Sequence, residues 1–417
     1  MTTPVVITGF GLVTPLGANP DIFWGRLLTG PSAAGPITAF PAIDCATQIA
    51  CEVSPTVFPA QLMDTPADGA PINRARPLAL AAAAQALVHA GLAHPGTGAL
   101  PASSCEPCVG LVVGTTLGEA IAIERIDPLV DDNGQPRPEL RQAAPAASAH
   151  LLAGAIAMQL GLHGLVLATT AACAAGNHAL AIGYEWIRGG RAPVVLAGGA
   201  EGLSRLAHIG FSRLHVVASD LCRPFDRRRQ GLLLGEGAAF LVLEDPVHAR
   251  ARGAHIWAGL AGYGLAGDAY HLVAPHPEGR GAALAMRRAL HMAGIAPEDI
   301  DYINAHGTGT PQNDSAETSA IKSAFGRHAF QVPISSIKAL GGHAMGAAAA
   351  IEAIACVLAL QHQCIPPTHH LEEPDPLCDL DYVPQVPREA RLRWVMNNSF
   401  AFGGNNAAVV LAHPDAV

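Results

Sequence analysis

Cys173 lies in ATTAACAAGNHAL (168–180), where a strand-like run ends in a tight turn of small residues and an Ala-rich helical run begins at once. Helix N-terminal amides and the macrodipole stabilise an anion. A cysteine in that place gains thiolate character and becomes a nucleophile, and the surrounding Ala and Gly let a substrate come close. The plainer reading is an inert buried thiol, the common state of free cysteine; the segment alone supports both. His306 lies in NAHGTGTPQNDSAE (304–317), after the strand-like DYIN and before a helix expected to be capped near Asp314. Strand C-terminal ends form the crevice in which α/β sheets bind ligands, so a histidine there is placed for catalysis. A hydrogen-bonded turn histidine is the alternative. Thr308 and Thr310 offer hydroxyls to an amide-rich chain.

His343 lies in SSIKALGGHAMGAAAAIE (335–352), before a second Ala-rich helix. A helix N-terminus disfavours imidazolium, so the ring is expected to be neutral. Neutral imidazole donates one hydrogen bond to an oxygen that is becoming an enolate. Lys338 close by lowers histidine pKa further, and Glu352 on the following helix can keep the lysine charged; a purely structural Lys338–Glu352 pair is an equal reading. In NNSFAFGGNNAAVVL (397–411), the double Gly after Phe402 frees backbone N–H groups, and Phe400 and Phe402 can gate an apolar cavity. Combined with Cys173, the Phe402 N–H would complete an oxyanion hole. A Gly-rich hairpin between core strands is the simpler account.

The elements that must position these residues alternate. VVITGFG, VGLVVGT, LVLAT (165–169), VVLAGG and AAFLVLE read as buried strands, with Ala/Leu-rich helical runs at 77–91, 146–160 and 174–188 between them. After about residue 250 the pattern restarts, with helices at 280–294, 314–325 and 343–361 and late strands near 393–397 and 407–412. Such alternation predicts an α/β protein with buried, largely parallel strands. Cys173 and His343 each precede a long Ala-rich helix, which suggests a duplication into units 1–250 and 251–417. Residues 205–235 and 262–280 read as excursions over the active-site face, and the Pro-rich stretch near 134–145 as a loop.

Composition narrows the class. Half of the 417 residues are hydrophobic and only 14% charged, which excludes disorder and points to a surface partly hidden in an oligomer. The net charge of −9 argues against nucleic acid, though not against a small acidic protein partner. No basic n-region precedes the first strand, and the apolar run Ala344 to Leu360 is interrupted by Glu352, so no membrane span and a cytoplasmic location are expected. Nine irregularly spaced Cys are expected to be reduced thiols. Cys105 and Cys108 form a lone C-x-x-C without a second pair, and the 19 His show no recurring ligand spacing, so no metal is expected.

The four motifs, in this order and over nearly the whole chain, resemble the elongating β-ketoacyl–acyl carrier protein synthases, most closely the synthase II type. The resemblance implies a thiolase fold: duplicated βαβαβ halves in a five-layer α-β-α-β-α sandwich. It places the acylated nucleophile on Cys173, the decarboxylation pair on His306 and His343, and the family's lysine on Lys338 with Glu352 as its partner. The oxyanion amides fall on Cys173 and Phe402, with Phe400 in the same gating loop, the phosphopantetheine contacts on Thr308 and Thr310, and the acyl-pocket gate on Leu117. It implies decarboxylative condensation of an acyl thioester with a malonyl-loaded carrier, in fatty-acid or type II polyketide or polyene biosynthesis. No cofactor is implied beyond the carrier's phosphopantetheine, and the assembly is a homodimer or a heterodimer with a related subunit.

Departures from the family pattern accompany the match. Ala401 replaces the Gly between the two Phe, Asn405 stands where Thr is typical, and Glu119 puts a carboxylate near the expected acyl pocket. Only Arg74 and Arg76 stand where a richer basic cluster would meet the carrier, and 205–223 is short. These fit a specialised type II pathway as well as a fatty-acid one. Two rivals remain: a thiolase, which needs a second Cys that Cys364 and Cys378 supply only in poor contexts, and a chain-length factor, which typically lacks the nucleophile found here.

Overall fold

The computed structural model of the chain describes residues 5–43, 45–62, 73–101, 108–126, 135 and 148–416. Cys105 and nearly all of the Pro-rich stretch at 134–145 lie outside these residues. The apolar runs form β1 (Val5–Val13), β2 (Val109–Gly114), β3 (Val166–Thr169), β4 (Val194–Glu201) and β5 (Gly237–Glu244). The second series is β6 (Ala258–Gly267), β7 (Tyr302–Asn304), β8 (Ile334–Ser335), β9 (Trp394–Phe400) and β10 (Asn405–Ala412). All join one sheet in the order β8-β7-β9-β10-β6-β1-β5-β4-β2-β3.

Outward from the β6–β1 seam the two series repeat one pattern. The first strand lies antiparallel to the last, the last antiparallel to the fourth, and the fourth parallel to the second, which lies parallel to the third. Three residue pairs, from Val5↔Leu260 to Ile7↔Ala258, close the seam. The sheet is therefore mixed rather than largely parallel. A strand buried on both faces is apolar throughout whichever way its neighbours run, so composition does not carry direction. The same expectation fails at β3, which is an edge strand with Leu165, Val166 and Leu167 each at least 40% exposed.

The helices that flank the sheet and the site include α1 (Ala75–His89), α2 (Ala149–Leu160), α3 (Ala175–Arg188), α4 (Arg205–Arg213), α5 (Arg280–Ala293), α6 (Pro311–Phe325) and α7 (Ala348–His362). They make the layers. α1 and α2 cover the outer face of the β1–β5 half, α5 lies on the outer face of the β6–β10 half with α6 against it, and α3 and α7 pack between the halves. Each helix–sheet interface has its own core: Leu78, Leu111 and Phe240 on one side, Met286, Ile303 and Val410 on the other, and Tyr184, Ile354 and Val409 between. The arrangement is α-β-α-β-α. α7 has protein on every side, which explains an apolar composition without an exposed stripe. The stretch Met345–His362 is long and apolar enough to cross a membrane, and 89% of it is buried inside the protein.

The two central helices start alike. A 3-10 turn, Ala172–Ala174, precedes α3 with Ala172 at φ 47°, and another, Met345–Ala347, precedes α7 with Met345 at φ 44°. Left-handed backbone is uncommon away from Gly, so its recurrence at matching places marks the same turn used twice. The counterpart of Cys173 is thus Gly346. His343 lies on the approach to the turn rather than at the helix start, because its N–H and C=O are taken by Leu233 and Gly235 (2.7 and 3.0 Å).

Candidate active site

The turn ahead of α3 and the segments after β7 and β8 converge. The Cys173 sulfur and one ring nitrogen from each of His306 and His343 lie within 4.8 Å of one another, all buried. The imidazoles meet edge to face, their centroids 5.3 Å apart at 81°. The sulfur comes from the first half of the chain and both rings from the second. They line a cavity of about 340 Å³ together with Thr308, Thr310, Phe400 and Phe402.

His306 is held from behind. Its N–H and that of Gly307 donate to the two carboxylate oxygens of Glu317 on α6, each at 2.8 Å, and Ser336 Oγ donates to the Gly307 carbonyl at 2.6 Å. Thr310, not Asp314, caps α6: its Oγ1 accepts from Asn313 N at 3.3 Å. Asp314 instead points back and accepts from Phe225 N and Gly309 N at 2.8 and 3.2 Å. Thr308 and Thr310 share a hydrogen bond of 2.9 Å on the cavity wall.

Lys338 and Glu352 form a buried ion pair beneath the rings. Lys338 Nζ donates to the His306 carbonyl at 2.6 Å and lies 3.4 Å from His306 Nδ1. Burial first, and Lys338 next, hold both imidazoles well below the ordinary histidine pKa; for His306 the second ring adds to the effect. The expectation of neutral rings stands on this cause rather than on a helix end. Neither ring nitrogen of His343 has a partner among the described residues, which leaves both free for a ligand. Burial pushes the Glu352 carboxyl up to about 7 against the pull of Lys338.

The thiol corrects an expectation. Burial pushes Cys173 up to about 12, and Lys338 opposes this only in part. One helix end does not outweigh burial of a sulfur anion, so the thiolate character expected from the helix start is opposed by the enclosure of the site. By distance alone the trio could hold a metal ion. The ammonium of Lys338, 3.4 Å from one ring, opposes a dication there.

The mouth is built from loops. Phe402 stacks on Phe211 of α4, centroids 5.5 Å apart at 23°. Ala401 is extended at φ −131°, open to any residue, whereas Gly403 and Gly404 at φ 79° and 71° use the left-handed freedom of glycine. Asp268, Val273, Ala274 and Pro275 line the cavity, and their segment is tied to the Phe400–Gly404 loop and β10 by Gly403 N donating to Leu272 O (2.7 Å) and Asn406 Nδ2 to Asp268 Oδ1 (2.9 Å). Residues 262–267 belong to β6 and are not irregular.

Other expected residues sit elsewhere. Leu117 does not line the cavity; it joins an apolar cluster with Met345, Leu234, Phe211 and Leu232, and the last two also face the cavity. Glu119 does not line the cavity: its carboxylate accepts from the amides of Arg74 (2.9 Å), Ala75 (3.2 Å) and Arg76 (2.5 Å) and so caps α1. The Arg74 guanidinium is engaged by buried Glu236 at 2.5 and 2.6 Å. Neither Cys364 nor Cys378 lines the cavity, which leaves the thiolase chemistry without its second sulfur. Sequence reasoning missed Glu317, Phe211 and Ser399, whose Oγ donates to the Cys173 carbonyl at 2.8 Å. The one available signal was a carboxylate or hydroxyl at an inward position of an otherwise apolar element.

Comparison with known proteins points to one family. Residues 2–249 match the family profile described as beta-ketoacyl synthase, N-terminal domain, and residues 257–372 that described as beta-ketoacyl synthase, C-terminal domain. Nodulation protein E of Rhizobium leguminosarum bv. trifolii is 43% identical, over 98% of this chain and 99% of the relative. The 3-oxoacyl-[acyl-carrier-protein] synthase 2 of Coxiella burnetii is 39% identical, over 98% of each. The solved structure titled "The ishigamide ketosynthase/chain length factor" superposes with a TM-score of 0.88 at 40% identity, over 98% of each chain. With a thiolase-type layered fold and a cysteine facing two imidazoles, the chain belongs to the β-ketoacyl synthase family of acyltransferases.

Proposed function

We propose that the chain condenses an acyl thioester with a malonyl thioester, both delivered by an acyl carrier protein, with Cys173, His306 and His343 as the reacting groups. The reading is carried by one observation: a sulfur and two uncharged imidazoles, from opposite halves of the chain, within 4.8 Å in one cavity. The halves, 1–250 and 251–417, then have separate tasks.

In the first stage Cys173 Sγ attacks the acyl carbonyl, the carbon–sulfur bond to the carrier breaks, and the proton of Cys173 ends on the departing carrier sulfur, which leaves as a thiol. In the second, the malonyl carboxylate departs as carbon dioxide, and its bonding pair becomes an enolate whose oxygen takes hydrogen bonds from His306 and His343. The carbanion attacks the Cys173 thioester. The resulting oxyanion is held by the amides of Cys173 and Phe402, and collapse expels the sulfur and releases a β-ketoacyl product. Lys338, fixed by Glu352, adds to burial in keeping both rings unprotonated, because its ammonium repels a charged ring. Thr308 and Thr310 line the path of the phosphopantetheine arm, Phe400 and Phe402 gate it, and Leu117 acts on acyl length through the cluster behind Leu232. No further cofactor takes part in this chemistry.

The exposed edge strand β3, with Leu165, Val166 and Leu167 uncovered, supports a dimer, since an apolar strand edge is a template for pairing. The partner is a second copy or a related subunit, and the assembly is cytoplasmic. A catalytically silent chain-length factor is disfavoured by the complete trio. The test is intact mass after incubation with acyl carrier thioesters. Wild type is expected to gain one acyl group and Cys173→Ala none, while the variant still releases carbon dioxide from the malonyl carrier. Acylation that survives the substitution would remove Cys173 from its role.

A further inference from the structure

Asn397 is fully buried in β9, on the face shared with Val395 and Ser399 that looks into the central helix layer. A polar side chain there has to be satisfied by neighbours, and its partners are distributed in an informative way. Asn397 Nδ2 donates to Asn177 Oδ1 at 3.1 Å and to the Ala349 carbonyl at 2.9 Å, while Asn397 Oδ1 accepts from Asn304 Nδ2 at 2.9 Å. Asn177 Nδ2 donates in return to the Asn397 carbonyl at 3.1 Å. Asn177 lies on α3 just after Cys173, Asn304 ends β7 just before His306, Ala349 opens α7 after His343, and Asn397 shares its strand with Phe400 and leads to Phe402. One amide thus ties together the four elements that adjoin the nucleophile, the two imidazoles and the Phe400–Phe402 loop.

We propose that Asn397, with Asn177 as its reciprocal partner, is a positioning residue that sets the register between the half bearing Cys173 and the half bearing His306 and His343. The idea rests on the condensing reading above, and its logic is geometric. Acyl transfer centres on the sulfur, and decarboxylation needs only the two rings and Lys338 of the second half. Carbon–carbon bond formation alone requires the sulfur-bound carbonyl and the ring-bound enolate to meet across the seam. Apolar packing of α3 against α7 resists separation but tolerates small slides, because dispersion contacts have no direction. Hydrogen bonds between buried amides fix direction and register.

The test measures three reactions on the full chain: acyl loading of Cys173 by intact mass, carbon dioxide release from the malonyl carrier, and β-ketoacyl product formation. For Asn397→Ala and Asn177→Ala, condensation kcat is expected to fall on the order of tenfold to a hundredfold, as for a small misplacement of reacting groups. Both partial reactions are expected to stay near wild type, and KM for either carrier to stay unchanged. Asn177→Asp, which keeps the acceptor for Asn397 Nδ2, is expected to recover part of the loss. Asn177→Ala removes fewer contacts and keeps the test decisive where Asn397→Ala does not fold. A parallel fall of all three reactions, or undiminished condensation, overturns the proposal. A wild-type protein that loads acyl groups but never condenses overturns the parent reading instead.

Discussion

Lys338→Met tests the electrostatics of the site directly. Lys338 Nζ stands 3.4 Å from His306 Nδ1, and at that separation two unit charges in a medium of effective dielectric constant of about 20 repel by about 5 kcal/mol. That repulsion adds to burial in holding the imidazoles below the ordinary histidine pKa, which is the state the proposed enolate contact needs. Removing the cation removes its share while burial persists. The histidine pKa values then rise toward the ordinary 6.5 without reaching it. Glu352, already pushed up to about 7, loses the partner that favoured its charge and takes up a proton. In a Cys173→Ala background, carbon dioxide release from a malonyl carrier is expected to hold steady through the usual histidine range. Adding Lys338→Met is expected to move the acid limb of that profile to higher pH. The sign follows from protonation: a raised pKa means a smaller neutral fraction at any given acidic pH, hence a slower reaction. An acid limb at the same pH in both proteins, or one shifted lower, would refute the assignment of Lys338 as the group that keeps the rings neutral.

Two further outcomes are expected. Glu119→Ala removes the carboxylate that accepts three amides at the start of α1 and should lower stability by about 1–2 kcal/mol; an unmoved denaturant midpoint would show the cap to be idle. Leu167→Asp puts a charge on the 40% exposed edge of β3 and is expected to convert the dimer to a monomer in sedimentation, whereas an unchanged mass would place the interface elsewhere.

The residues proposed to react were legible because their signals are local. Cys173 follows a strand and precedes a helix within one short run, and His306 ends a strand before a capped helix; such transitions show in a handful of neighbouring residue types. What failed was non-local. Nothing near Arg74 announces that Glu236, 162 positions away, will claim it. Nothing near Glu119 announces the amides of Arg74 and Arg76. The thiol was misjudged for a related reason: the helix end is visible in sequence, while the enclosure that desolvates the sulfur is assembled by distant loops. Asp314 and Thr310 are both good capping types, and only the turn of the chain decides which one caps and which reaches back to Phe225. Strand direction stayed hidden because burial, not orientation, sets residue choice in β1, β5 and β10.

The doubled turn ahead of the central helices has an evolutionary corollary. If both halves descend from one ancestor, position 346 once occupied the place that 173 holds now, and a symmetric forebear would have offered two equivalent reaction chambers. That option is closed in the present chain. A Cβ on Gly346 would stand 2.5 Å from Thr115 Cα and from Thr116 N, so no side chain of any kind can be restored there without displacing the neighbouring strand end. The vacated volume has been filled by the other repeat's backbone, and that occupation commits each polypeptide to a single catalytic centre.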